Sequence, residues 1–278
     1  GRTSRTAGTN HSGGIAVNYF IKKIEEKDTI SLSFFDANNK HIKTFSTNPN
    51  KENKEGKLKV KEGNNLFNWN MMYDGAESVK GMILWWASLS GPMALPGIYK
   101  VELTVNKKKL NQSFSIMRNP MSEATKSDMK AQFDFISDIN EKMTETHKAL
   151  KNVKKVRSQV DLLKKSISDK QEHKALIDFA DKLVKDMTKI EETLYQTKSK
   201  SGQDPLNFPI RLNNKLGHLN SLTRIGNYAP TNQAIEFKNE ITKEIDIELT
   251  KLYALFSNDV KALNQKVKES SIDLIQLN

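Results

Sequence analysis

Five histidines, 33 acidic residues and no cysteine make up this chain's stock of reactive groups. His11, His41, His147, His173 and His218 include no pair at the spacing that sets two imidazoles on one helix face. No thiolate can complete a ligand set, so no metal centre is expected. Carboxylate pairs such as Glu25/Glu26 and Glu191/Glu192 are adjacent in sequence. A helix turns such neighbours to different parts of its surface, whereas a glycosidase dyad needs two carboxyls facing one cleft. The chain carries neither a Gly-rich phosphate loop nor a Gly-x-Ser-x-Gly elbow. No catalytic residue and no cofactor follow from these patterns.

Binding chemistry is better represented. Trp69, Trp85 and Trp86 are the three tryptophans, and exposed indole faces stack on sugars and cations. The competing reading makes the Met71–Leu95 stretch a loop folded over an open sheet edge with the Trp pair as its plug. A second candidate is the connector 201–216, with Gln203, Asp204, Arg211, Asn213 and Asn214. It reads either as a polar site or as a rigid corner whose side chains satisfy orphan backbone groups. Pro205 and Pro209 stop helical continuation there, and Asp204 is placed to cap the turn after it. A third is the basic run Lys148, Lys151, Lys154, Lys155, Arg157, Lys164, Lys165. Polyanion binding competes there with a solvated helix face. No aromatic residue interleaves with the run, which argues against nucleic acid.

The elements that must position these residues obey two different periods. Before Asn119-Pro120-Met121-Ser122, apolar residues alternate and turns are rich in Gly, Asn and Pro. Strands are expected at 14–21, 29–35, 41–45, 57–61, 66–71, 98–105 and 110–117, with turns at Asp36–Lys40, Gly63–Asn65 and Asn106–Lys108. After that point apolar residues recur every three or four positions. Phe133, Ile136, Ile139, Met143, Thr146, Leu150, Val153, Val156, Val160, Leu163 and Ile167 form one seam, with an extra three at Val153–Val156. Ser122 or Thr125 caps this helix. Leu176 to Leu194 forms a second helix, joined through Ser168-Asp169-Lys170. Leu212, Leu216, Leu219 and Leu222 form a third. Phe237 to Val267 forms a fourth, capped by Thr231. The fold class is therefore α+β as two separate modules: an Ig-like β-sandwich over 1–119 and an antiparallel bundle of three to four helices over 120–278.

The net charge of +11 comes mostly from lysine interspersed with acids, which describes a solvated surface more than a phosphate reader. No apolar run reaches the roughly 18 residues that span a bilayer. The chain opens Gly1-Arg2-Thr3-Ser4-Arg5 with no Met and no signal-like stretch, so it is expected to be a piece of a longer protein.

Two resemblances add to this. Asn65-Leu66-Phe67-Asn68-Trp69, the Asp74-Gly75 turn and Leu95-Pro96-Gly97-Ile98-Tyr99-Lys100-Val101 resemble the Ig-like fold of flagellar hook-assembly and bacterial surface proteins. Here the Trp and the Asp-Gly are separated, and Ile98 stands where that pattern has Thr. Gly81–Trp85 with Leu89–Gly97, Asn119-Pro120 with Gln132-Phe133, Gln196–Ser199 with Ser201–Leu216, and Pro230-Thr231 with Gln233-Ala234 resemble the C-terminal region of exported bacterial sortilin/VPS10-like (BNR-repeat glycosyl hydrolase) β-propeller proteins. That likeness implies a periplasmic, outer-membrane-associated or surface location. It also implies a non-catalytic region that braces propellers in cis or binds a protein partner, with a glycan as the alternative ligand. The hydrolase label belongs to propellers whose Asp boxes this chain lacks. The likeness further implies that the seam at Asn119-Pro120 is a fixed joint.

Overall fold

The computed structural model describes residues 6, 8, 13–50, 55–167, 171–270 and 272. The expected Ser168-Asp169-Lys170 turn and His11 lie outside them. Seven strands come first: β1 (Ile15–Ile21), β2 (Ile30–Asp36), β3 (His41–Ser46), β4 (Gly56–Lys57), β5 (Gly63–Trp69), β6 (Gly97–Val105) and β7 (Lys108–Ile116). Helices come after them: α1 (Lys126–Ile167), α2 (Lys174–Leu194), α3 (Leu212–Thr223), α4 (Asn232–Ala254) and α5 (Val260–Glu269). The chain divides into two compact units. One holds 1–74 and 90–133; the other holds 75–89 and 134–278.

In the β unit, β1 and β5 form an antiparallel pair, and β4-β3-β2-β6-β7 form a five-stranded sheet in which only β3–β4 is parallel. Alternation sends Ile30, Leu32 and Phe34 of β2 inward, where they share a core with Ile21 of β1 and Trp69 of β5. The turn chemistry expected at Asp36–Lys40 is present. Asp36 Oδ1 accepts from the amides of Asn38 and Lys40, both at 2.9 Å, and Asn39 adopts φ 58°. Asn106, at φ 55°, makes the β6–β7 turn, and its Oδ1 accepts from Thr29 N–H at 3.0 Å. Gly14, at φ 97°, is required where β1 begins, since a Cβ there would lie 2.2 Å from the carbonyl oxygen of Trp69. Two strand expectations need correcting. The 57–61 run pairs only through Gly56–Lys57, while Leu58 and Val60 still pack on the core. Gly63–Asn65 is not a turn but the start of β5.

Helix α1 opens with a reciprocal cap. Thr125 Oγ1 accepts from Asp128 N–H at 3.1 Å, and Asp128 Oδ2 accepts from Thr125 N–H at 2.8 Å. Thr125, not Ser122, is therefore the cap. Thr231 caps α4 as expected, accepting from Ala234 N–H at 3.1 Å. Within the helical unit, side-chain pairs fix direction. Arg157–Glu191 and Lys164–Asp181 make α2 antiparallel to α1. Asn140–Asn220 and His147–Asn213 make α3 antiparallel to α1 as well. Asp138–Lys238, Lys142–Asp246 and Glu145–Tyr253 make α4 parallel to it. The unit is thus three rods: α1, then α2 continued by α3, then α4 continued by α5. Leu255–Asp259 forms a single π turn between the last two. This insertion interrupts what periodicity predicts as one helix. Leu222 and Phe237, counted in the expected seams, are exposed at 56% and 39%.

Candidate functional site

The second rod is broken. α2 ends at Leu194, α3 begins at Leu212, and between them the chain makes a corner. Residues 75–89 belong to the helical unit and are tied to the helices around this break. They have no regular secondary structure, so their backbone groups must find partners elsewhere. Glu77 N–H donates to Thr144 Oγ1 at 3.1 Å, and its carbonyl accepts from His147 Nδ1. Ile83 N–H donates to Tyr195 Oη at 3.1 Å. Trp85 N–H donates to Asn214 Oδ1 at 2.7 Å, and Asn214 Nδ2 donates back to the Trp85 carbonyl at 2.9 Å. Ser88 N–H donates to the Gly217 carbonyl at 2.9 Å. A Cβ on Gly217 would approach Ala87 Cβ to 2.9 Å, so the close passage of the segment over α3 needs glycine. The segment 75–89 is thus latched to the helices of its own unit.

The sequence candidates divide accordingly. Trp69 is fully buried and stacks on Phe34 with centroids 4.3 Å apart. It is the centre of the β-unit core and offers no face to a ligand. Its Nε1 has no partner among the described residues. Asn214, 4% exposed, acts as a surrogate peptide for Trp85. Asn213 is fully buried, and its Nδ2 donates to His147 Nε2 at 3.3 Å. Since the Glu77 carbonyl can only accept, the His147 proton sits on Nδ1 and Nε2 is the acceptor. Burial pushes the imidazole below its ordinary range, which keeps it neutral. Asp204 does not cap the turn after it. Its carboxylate accepts from Lys200 N–H at 2.6 Å, and from Ser201 N–H and Oγ at 2.9 and 2.8 Å. Those bonds, the Lys200 amide foremost, hold its carboxyl below the usual carboxylate range. Gln203 and Arg211 are exposed, and neither caps its helix with its side chain. The five polar residues of the connector therefore do not converge on one site.

What remains outward is Trp86. It is 74% exposed, its ring lies 5.9 Å from that of Trp85, and its backbone sits at φ 53°. A bulky side chain in the left-handed region is costly, by about 1–2 kcal/mol, and such strain persists only where the surroundings impose it. The latched residues Trp85 and Ser88 on either side do so. Nothing in the residue pattern singled out Trp86 from Trp85; the positive φ and the exposure do. Of the basic run on α1, Lys148 and Lys151 pair with Glu77, Arg157 with Glu191 and Lys164 with Asp181. Four of its seven residues are thus engaged within the unit. Among the described residues no three His, Asp or Glu side chains gather as a metal site, and no helix is long and apolar enough to cross a membrane. No protein family, curated protein or solved structure matches this chain.

Proposed function

We propose that the chain is a non-catalytic interaction region in which the helical unit presents Trp86 to a protein partner. The observation that carries this reading is an exposed indole held on a strained backbone by a segment whose neighbours are locked. Pre-ordered aromatic side chains cost little entropy on binding and are enriched among contact hot spots. The buried polar residues nearby support it too, because they serve the backbone of the presenting segment and not a reaction. In keeping with the motifs at 81–97 and 196–216, the wider setting is an exported bacterial sortilin-like β-propeller protein. The partner is its propeller in cis or an envelope or surface protein. The two-sheet β unit is on this reading an Ig-like sandwich, a variant with a short β1–β5 sheet.

The test is a photo-crosslinking residue at position 86, in cells that make the whole parent protein. A discrete crosslink to one protein or to an upstream domain, missing from a control at exposed Leu110 of the β unit, is the expected result. Crosslinks no different from the control would sink the reading. The same exposed face favours a second reading, stacking of Trp86 on a sugar ring. Retention on a glycan array that disappears in Trp86→Ala, with no protein crosslink, would select it.

A further inference from the structure

A polar cavity of about 380 Å³ opens where α2 ends, lined by residues of α1, α2, the connector and the latched segment, among them Lys154, Arg157, Tyr195, Thr197 and Ser199. Its polar groups are unusually unspent. Arg157 donates through Nη2 alone, to Glu191 Oε2 at 2.5 Å and to Thr188 Oγ1 at 3.1 Å. Its other N–H groups have no partner among the described residues. Lys154 is exposed, and its Nζ has no protein partner among the described residues. Tyr195 Oη accepts from Ile83 N–H, which leaves its own proton undonated. Thr197 is exposed and has no hydrogen-bond partner among the described residues, whereas the unpartnered Oγ of Ser199 has almost no accessible surface and lies beneath the hollow.

These groups share a sense. Lys154 and Arg157 can only donate; the hydroxyls of Tyr195, Thr197 and Ser199 can donate or accept. The buried carboxylate of the cavity, Glu191 at 4% exposure, is already taken by Arg157. Two cations against one anion leave the cavity with a single uncompensated positive charge, next to several hydroxyls. A bare ion would leave most of the space to water, since 380 Å³ corresponds to roughly a dozen waters at about 30 Å³ each.

We infer that this cavity binds a small, singly charged organic acid that also carries hydroxyl groups, its carboxylate or sulfate-ester oxygens between Lys154 and Arg157 and its hydroxyls toward Tyr195 and Thr197. This site is separate from Trp86 and does not depend on a protein partner there. The Arg157–Glu191 pair fixes the guanidinium so that its free edge faces the ligand without further ordering.

The full chain is titrated calorimetrically at low salt with D-glucuronate, with glucose 6-sulfate, with D-glucose and with sodium sulfate. The expected result is saturable binding of at least one of the two acids, with D-glucose inert and sodium sulfate at least tenfold weaker. Which acid binds distinguishes carboxylate from sulfate ester. Lys154→Gln is expected to weaken the acid about tenfold or more, the scale of a charge-assisted hydrogen bond. Thr197→Val is expected to weaken it severalfold while leaving thermal stability unchanged, because Thr197 is exposed and spends no hydrogen bond on the fold. That second variant separates ligand recognition from folding. Binding by neither acid, equal binding of D-glucose, sodium sulfate as tight as the acids, or unchanged affinity in both variants overturns the proposal.

Discussion

Replacing Asn214 tests the latch at its most defined bond pair. Its amide closes two hydrogen bonds with the backbone of Trp85, at 2.7 and 2.9 Å, from a position 4% exposed. In Asn214→Ala both Trp85 groups lose their partner beside a space that water enters poorly. Each unpaired group costs about 1–3 kcal/mol when dry. Trp85 itself is only half-buried, so part of this is recovered by solvent, and the expected loss is about 2–4 kcal/mol. For a unit of this size that lowers the melting temperature by about 5–15 °C. Asn214→Asp has the same shape and sharpens the test. Its carboxylate still accepts from Trp85 N–H, but its second oxygen faces the Trp85 carbonyl, which can be satisfied only by a protonated acid. The folded-state carboxyl is therefore expected above its unfolded value of about 3.9. The folded state then holds the proton more tightly, so stability is greatest below about pH 4 and falls as pH rises through the folded value. Far-UV circular dichroism melts across pH check this. An Asn214→Ala melt equal to wild type, or an Asn214→Asp deficit that does not shrink on acidification, would refute the latch.

Other consequences stem from the same geometry. His147, neutral and held below its ordinary range by burial, should keep its full contribution above about pH 6.5, the unfolded value. It should lose that contribution as pH falls below it, since only the unfolded state protonates there; an imidazole NMR titration with no depression would count against this. Gly217→Ala should destabilise by about 1–3 kcal/mol through the 2.9 Å approach to Ala87, despite a helix-propensity gain of about 1 kcal/mol, as read by denaturant unfolding. Arg157→Met should cost about 2–4 kcal/mol by stranding Glu191, which is 4% exposed, whereas Arg157→Met with Glu191→Gln should recover much of it in a double-mutant cycle. Trp86→Gly should melt at the same temperature or a few degrees higher, because glycine relieves the φ 53° strain, while losing the position-86 partner contact.

The α1 seam was legible because its buried residues, from Ile136 through Ile139, Met143, Leu150 and Val153 to Val160, obey the helical period that keeps one stripe turned to the core. The turns at Asp36–Lys40 and Asn106 were legible because Asn tolerates the left-handed backbone that both need, at Asn39 and Asn106. The strand at 57–61 was not, because alternation reports which face is buried and not whether an edge finds a partner. Residues 75–89 were opaque for a different reason. Their backbone is satisfied by Thr144, His147, Tyr195, Asn214 and the Gly217 carbonyl, all far along the chain, and such bonds leave no periodic trace. The same fact dispersed the connector site. Asn213 and Asn214 looked like ligand-binding amides, but Asn213 Nδ2 donates to His147 and Asn214 is closed on the Trp85 backbone, while Asn213 Oδ1 is buried without a partner among the described residues. Trp69 is buried because alternation places the end of β5 on the inward face, whereas Trp86 lies outside every strand and helix and no period fixes where it points.

Native-state amide hydrogen exchange, resolved by residue, bears most directly on the central claim that the helices hold 75–89 rigid to present Trp86. The amides of Glu77, Ile83, Trp85 and Ser88, each donated to a named acceptor, should be protected together, and Asn214→Ala should release Trp85 first. Rapid exchange of all four in the wild-type protein would show the segment to be unlatched and would contradict the account.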